Sequence, residues 1–280
     1  MRLASFEHAG KRGYGAVRED RVIRLDQTPE SPPTLAGYIA RHCGAWPTLL
    51  AHEGPTDESI ALDMVRLLPP IPQPGKILCV ATNFREGKPD PEYPLVFTRF
   101  AETLVGHGDA LLKPAVSDRY DFEGELGVVI GKPGHKIPRE RALDHVAGYT
   151  CFNDGSVRDW QKHSTQFTPG KNFYRSGSMG PFLVTPDEIA DFAAIDLQTR
   201  VNGVVKQQIS MGSMIFDVAW LIAYFSTFTP LAVGDVIATG TPSGFGSTRT
   251  PPEFLAEGDR IDVEISGIGT LSNSVRQDSA

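Results

Sequence analysis

The sequence predicts a mainly β protein of α+β class: a strand-dominated roll or mixed β-sandwich with a few helices. Three observations carry this. Short apolar runs between residues 75 and 280 are separated by turn signals, KPGH, VNG, VGD and EGD. No strand–helix–strand rhythm recurs, so a doubly wound parallel sheet is not expected. A single long apolar stretch, MIFDVAWLIAYFSTF at 214–228, reads as a helix, with Ser213 as its N-cap.

In chain order, RLASF, YGAVRE and RVIRL are three strands, and LAGYIARHC and DESIALDMV are short helix candidates. LLPPIPQPGK, residues 67–76, then places five prolines or glycines in ten residues. Such punctuation marks a boundary. It divides a small β-rich N-terminal accessory domain, 1–70, from a main domain, 75–280. Nine strand candidates follow: KILCVAT, YPLVFTRF, ALLKP, ELGVVIG, HVAGYTCFND, GPFLVT, LQTRVNGVVKQ, DVIATG and RIDVEISGIGTL. VNGVV carries a hairpin turn of the Asn-Gly type. SVRDWQKH, after Gly155, reads as a second short helix.

Composition narrows the function classes. The 280 residues hold 27 basic and 34 acidic side chains, a net charge of −7. No basic footprint for nucleic acid exists, and an anionic substrate needs local cations because the overall field does not steer it in. Cys43, Cys79 and Cys151 form no CxxC pair, which removes zinc ribbons and thioredoxin-like chemistry and fits a reducing compartment. The first residues lack a signal-peptide core, and no apolar run spans a bilayer. The expectation is a cytoplasmic protein without membrane or nucleic-acid partners.

The stretch YDFEGELGVVIG, 120–131, sets Asp121, Glu123 and Glu125 at alternate positions. In a strand these share a face. Like charges so placed raise one another's pKa unless a cation lies between them. Gly124 and Gly127 leave room for a ligand or another backbone to come close. The bland alternative is a solvated strand end. HVAGYTCFND ends in Asp154. Together, Glu123, Glu125 and Asp154 make an all-oxygen set of the kind that Mg²⁺ or Mn²⁺ prefers. An octahedral ion would keep about three positions open. Without His or Cys, zinc is a poor match.

These runs, with TPGKNF (168–173), MGPFLVTPDEI (179–189), ATGTPSGFG (238–246) and GDRIDVEISGIGTLSNSV (258–275), resemble the fumarylacetoacetate hydrolase family over about residues 75–276. The resemblance is to its 2-hydroxyhepta-2,4-diene-1,7-dioate isomerase, acylpyruvate hydrolase and oxaloacetate decarboxylase-like group. It implies a β-rich roll, a homodimer, and a Mg²⁺ or Mn²⁺ site. It also implies hydrolysis of carbon–carbon bonds, decarboxylation or tautomerisation of small 2-oxo or 1,3-dicarbonyl acids. By position it assigns Glu123, Glu125 and Asp154 to the metal, Lys171 to the site, and Gln161 to its lining. Asp121 is left as either a supporting partner or a solvated acid. Lys171 would offset the carboxylate charge and hold a substrate carboxylate. Thr241, in a glycine-rich turn, has a hydroxyl suited to a carboxylate. Arg99 has the fork for a bidentate clamp, or is a structural arginine.

One departure matters. Hydrolytic members continue the first strand as Asn-Tyr-x-x-His-x-x-Glu, whose His–Glu pair activates water. Here Gly87 stands for the His and Asp90 for the Glu. Prolines in this run argue against a helix. Glu86, Asp90, Glu92, His107 and His163 are the substitute bases to consider, with Glu86 and Lys171 as the catalytic candidates. The family favours C–C bond hydrolysis. The missing pair favours decarboxylation or keto–enol isomerisation, which need only a stabilised enolate. A family member that binds metal without turnover is the reading from another class.

Overall fold

The computed structural model describes residues 1–46, 59–87 and 89–279. Strands of the first unit are β1 (Arg2–His8), β2 (Lys11–Arg18), β3 (Arg21–Arg24), β4 (Ser59–Ala61) and β5 (Arg66–Leu67). Then come β6 (Ile77–Val80), β7 (Val96–Arg99), β8 (Leu104–Val105), β9 (Leu111–Lys113), β10 (Tyr120–Asp121), β11 (Gly124–Ile130), β12 (Val146–Asn153), β13 (Ser156–Val157) and β14 (Gly177–Val184). The last are β15 (Asp196–Val201), β16 (Val204–Ser210), β17 (Val236–Ala238), β18 (Arg260–Ile265) and β19 (Gly269–Gln277). The α-helices that lie wholly within the described residues are α1 (Leu35–His42), α2 (Thr168–Lys171) and α3 (Val218–Phe228). The mainly β fold is as expected.

Among the described residues, one sheet has the order β4-β3-β2-β1-β14-β12-β11-β17-β6-β7, with β5 on β1 and β8 on β14. Strands of the first unit therefore continue the large sheet through the β1–β14 pair, Arg2 opposite Val184. A second sheet runs β16-β15-β18-β19-β9. The run ELGVVI is apolar at every position from Leu126 on because both faces of β11 are covered. Leu126, Val128 and Ile130 join the core shared with β15, β18, β19 and α3, while Val129 joins the opposite core with Leu35 and Ile39 of α1. In α3, Leu221, Ile222 and Phe225 are buried, each contributing roughly 1.5–3 kcal/mol.

Three helix expectations are corrected. α3 begins at Val218, capped by Asp217, whose carboxylate accepts from Trp220 N at 2.7 Å. Residues 214–216 are held out of the helix: Ile215 N donates to Asn83 O and Phe216 N to Asn83 Oδ1, both at 2.9 Å. Tertiary partners thus outbid helix propensity. SVRDWQKH is a strand pair followed by one 3₁₀ turn, Trp160–Lys162, because Ser156 and Val157 pair with Asp121 and Tyr120. DESIALDMV forms β4 on the edge of β3 and a 3₁₀ turn, Leu62–Met64; its first two residues lie outside the described residues.

The two glycines of the acidic run make room for protein, not ligand. A Cβ at Gly124 would lie 2.0 Å from Thr199 Oγ1, and one at Gly127 would lie 2.9 Å from Thr150 Cγ2. Gly124 lets the five-stranded sheet close onto β11. Gly124→Ala is expected to cost about 1–3 kcal/mol through overpacking, read as a lower urea midpoint of the metal-free protein at unchanged slope.

Candidate active site

The acidic row is not one strand. β10 ends at Asp121, Phe122 and Glu123 form the break, and β11 resumes at Gly124. The break separates Asp121 from the glutamates. Its carboxylate accepts from Gly246 N at 2.7 Å and Ser247 N at 2.9 Å, and pairs with Arg158 Nε at 2.7 Å. It is fully buried, so the solvated-acid alternative fails. Asp121 binds the loop after Gly244 to the floor of the site.

The structure brings Glu123, Glu125 and Asp154 together: one carboxylate oxygen from each lies within 4.8 Å of the others. Two neighbouring strands supply them, since Gly124 on β11 is opposite Asn153 on β12. Asp154 N donates to Glu123 O at 2.8 Å, and Asn153 Oδ1 accepts from Glu123 N at 3.2 Å. Backbone geometry therefore sets the spacing of the carboxylates. All three are buried, and so is Lys171. Its ammonium bridges Glu123 Oε2 at 2.6 Å and Asp154 Oδ2 at 2.5 Å. Pro169 in the first turn of α2 and Gly170 against Gln161 place that lysine; a Cβ at Gly170 would come within 2.5 Å of Gln161 backbone atoms.

Burial disfavours each charge, and the partners decide the outcome. Burial would lower the Lys171 pKa, but Asp154 and Glu123 raise it above its ordinary value, so it stays an ammonium. Burial would raise Asp154, but Lys171 and Arg99 hold it low. Glu125 is pushed well above the usual carboxylate range, first by burial and then by Asp154 and Glu123. The buried cluster comprises four carboxylates, Asp121, Glu123, Glu125 and Asp154, and three cations, Arg99, Arg158 and Lys171. Fully ionised, it carries one net negative charge.

The remaining assignments divide. Arg99 aims Nη1 at Asp154 Oδ1 (2.5 Å) and Gly155 O (2.8 Å), Nη2 at Ser176 Oγ (3.0 Å) and Nε at Thr103 Oγ1 (3.2 Å). Its fork holds the protein's own Asp154, which favours the structural alternative over a substrate clamp. The Thr241 hydroxyl donates to Gly124 O at 3.0 Å and accepts from Gln207 Nε2 at 2.8 Å, so it is engaged inside the wall. Gln161 is half-buried, and its Oε1 accepts from Arg158 Nη1 at 3.1 Å.

None of the substitute bases joins the cluster. Glu86 is exposed, and Ser243 takes up its carboxylate, N at 3.0 and 3.1 Å and Oγ at 2.5 Å. Asp90 pairs with Arg85 at 3.0 Å, and Glu92 is exposed. His107 Nδ1 accepts from Ser272 N, and His163 packs on Trp160 at the surface.

Sequence reasoning missed Arg158, Gln207 and Asn83. Arg158 links Asp121 and Glu123 (Nη1 to Oε1, 2.6 Å), lies 4.5 Å over the Phe245 ring, and keeps a buried Nη2 without a partner among the described residues. Its signal was the RD dipeptide beside the Asn153-Asp154 turn, read instead as helix. Asn83 Nδ2 donates to Phe216 O and Thr239 O, joining the start of the 84–94 segment to α3 and β17.

Glu125 tests whether the set suits a divalent cation. Its Oε2 accepts from Gly240 N at 3.0 Å, while Oε1 is buried with no hydrogen-bond partner among the described residues. An orphan carboxylate oxygen is costly in a protein interior, and coordination satisfies it. With the all-oxygen donors, and with the negative charge that the cluster carries once Glu125 is ionised, the residues fit Mg²⁺ or Mn²⁺.

A family model described as fumarylacetoacetate (FAA) hydrolase, C-terminal, matches residues 76–276, and one described as Rv2993c-like, N-terminal, matches 1–70. The chain belongs to the fumarylacetoacetate hydrolase family. It is 44% identical to the oxaloacetate tautomerase YisK of Bacillus subtilis (strain 168), over 98% of this chain and 100% of that one. With the mitochondrial oxaloacetate tautomerase fahd2 of Xenopus laevis it shares 42% identity, covering 98% and 90%. Among solved structures, the fumarylacetoacetate hydrolase of Exiguobacterium antarcticum superposes with a TM-score of 0.89 at 34% identity, covering 99% and 100%. A maleylpyruvate hydrolase from Sphingobium sp. SYK-6, in complex with manganese (II) ion and pyruvate, gives 0.81 at 28%, covering 100% of both chains. Other fumarylacetoacetate hydrolase family structures that it resembles are named as 2-hydroxyhepta-2,4-diene-1,7-dioate isomerases. The family is thus one of enzymes acting as tautomerases, isomerases and hydrolases. No helix among the described residues is long and apolar enough to cross a membrane.

Proposed function

We propose that this protein is a Mg²⁺- or Mn²⁺-dependent enzyme that interconverts the enol and keto forms of a small 2-oxo dicarboxylate of the oxaloacetate class. The observation that carries this over C–C bond hydrolysis is the engagement of the Asn83–Pro94 segment. Gly87 has no side chain to offer, Glu86 is taken up by Ser243, and Asp90 by Arg85. Glu92, the remaining carboxylate of the segment, is exposed and stands outside the buried cluster, so the His–Glu pair that would activate water for hydrolysis has no counterpart among the described residues of this segment. The names of the tautomerase relatives agree.

Glu123, Glu125 and Asp154 would hold the metal, which when bound supplies Lewis-acid polarisation of the 2-oxo carbonyl. The chain's own residues do the rest. Lys171 is kept charged by Asp154 and Glu123, and donates a proton to C3 of the enol; the enol hydroxyl proton restores it. No bond between carbons breaks, and the proton count is unchanged. Arg158 Nη2, buried and without a partner among the described residues, would be the donor offered to the oxygen where negative charge grows, with Gln161 bound to the same guanidinium. The sealing of the cluster from solvent strengthens both interactions.

The test is the decay of enol absorbance with Mg²⁺ or Mn²⁺, beside a panel of acylpyruvates. Wild-type enzyme is expected to speed ketonisation and to leave acylpyruvates uncleaved. Lys171→Met is expected to slow ketonisation about 10²–10⁴-fold. Metal-dependent cleavage of an acylpyruvate to two acids would overturn the reading in favour of hydrolysis. Pyruvate formed faster than the keto tautomer would favour decarboxylation.

A further inference from the structure

The geometry points to Gln207 as a positioning residue that the five-stranded sheet extends beneath the metal-ligand set. This rests on Glu123, Glu125 and Asp154 being metal ligands. Gln207 lies on β16, yet it is buried under β11 and the turn after β17. Its Oε1 accepts from Gly124 N at 2.9 Å. Its Nε2 donates to Thr241 Oγ1 at 2.8 Å and to Pro242 O at 2.9 Å. Both amide hydrogens and the carbonyl are used, and the donors and acceptors admit no flipped orientation.

Two arms lead from this amide to the carboxylates. The first is Gly124 N, the peptide between Glu123 and Glu125. The second is Thr241, which follows Gly240, whose N–H is the partner that orients Glu125 Oε2. Gly240 sits at φ +100°, and a Cβ there would lie 2.6 Å from Asn83 Cβ and 2.7 Å from Ala81 O, so the turn is packed closely against the Ala81–Asn83 backbone. Thr241 N is tied to Ala81 O at 3.0 Å. With those contacts rigid, the Gln207 amide and the Thr241 hydroxyl, which donates to Gly124 O at 3.0 Å, together join the segment carrying both glutamates to the turn that aims Glu125, and Gln207 is the side chain that holds Gly124 N and that hydroxyl at once. Partners at this remove from a metal commonly control affinity 10–100-fold.

The experiment is Mn²⁺ titration, by calorimetry and by Mn²⁺ EPR, of the wild type, Gln207→Met, Gln207→Glu and Thr241→Val, with thermal unfolding of each metal-free protein. Gln207→Met keeps the length and apolar bulk but none of the hydrogen bonds. Gln207→Glu keeps the acceptor for Gly124 N and loses both donors. Both are expected to weaken Mn²⁺ binding about 10–100-fold. Thr241→Val removes the second arm together with the hydroxyl's own bond to Gly124 O, keeps the shape and the Gln207–Gly124 N bond, and is expected to give a smaller loss in the same direction. Should Gln207→Met not fold, the other two variants decide. A lowered melting temperature with the Mn²⁺ Kd unchanged in these variants would overturn the inference and leave Gln207 a purely structural side chain. Glu125→Gln is the control. If it binds Mn²⁺ as the wild type does, the metal-site reading itself fails; if it alone loses Mn²⁺, only the assignment of Gln207 fails.

Discussion

Glu125→Gln is expected to lose Mn²⁺ binding by at least about 100-fold, while the metal-free protein stays as stable as the parent or becomes more stable. The two signs follow from one fact. Glu125 is buried among Asp154 and Glu123, and its ionised form is disfavoured by burial first and by those carboxylates next. A neutral amide of the same shape removes that repulsion and keeps an oxygen for Gly240 N. It also supplies a weaker ligand oxygen and takes away the charge a divalent cation needs. Thermal unfolding with and without Mn²⁺ checks both. At a hundred times its Kd, a metal stabilises the parent by about 2.7 kcal/mol, and the variant should show almost none of this. A metal-free Glu125→Gln protein that melts well below the parent would show that the carboxylate is held by a partner rather than awaiting one.

The grouping of the three candidate ligands was legible because metal chemistry needs particular residue types at short spacing. Glu123 and Glu125 stand two apart, and Asp154 ends an apolar run that pairs with theirs. Strand content was legible from alternation and turn residues. What was not legible is where side chains from distant segments end up. Arg99 read equally as substrate clamp or structural arginine, since a sequence shows a fork but not its target. Thr241 read as a free hydroxyl because Gln207, 34 residues away, carries no signal of its own. The helix expected over 214–217 failed for the same reason. Asn83 claims the backbone of Ile215 and Phe216, the latter from 133 residues away, and local periodicity cannot register such a partner. Asp121 looked like a member of the row until the chain break at Phe122 turned it toward Gly246 and Arg158.

Arg99→Leu is expected to be the most destabilising single change near the site, by about 3–5 kcal/mol, with a melting temperature lower by roughly 10 °C. Both Arg99 and Asp154 side chains are wholly buried. Among the described residues, removing the guanidinium leaves Asp154 with Lys171 as its only cation, and strands Gly155 O, Ser176 Oγ and Thr103 Oγ1 short of the donor they share. Arg99→Lys restores the charge but not the fork, so it should recover part of the stability. Arg99→Leu combined with Asp154→Leu should recover part as well, because no unpaired charge is then buried. Kinetics separate the two roles weighed for this arginine. A substrate clamp, once loosened, raises KM at saturating metal. An arginine that holds Asp154 acts through a proposed metal ligand, so Arg99→Lys should raise the Mn²⁺ concentration needed for half-maximal rate and leave the substrate KM at saturating Mn²⁺ nearly unchanged. The donors of Arg99 are directed to the protein's own oxygens, and the second pattern is the one this geometry requires.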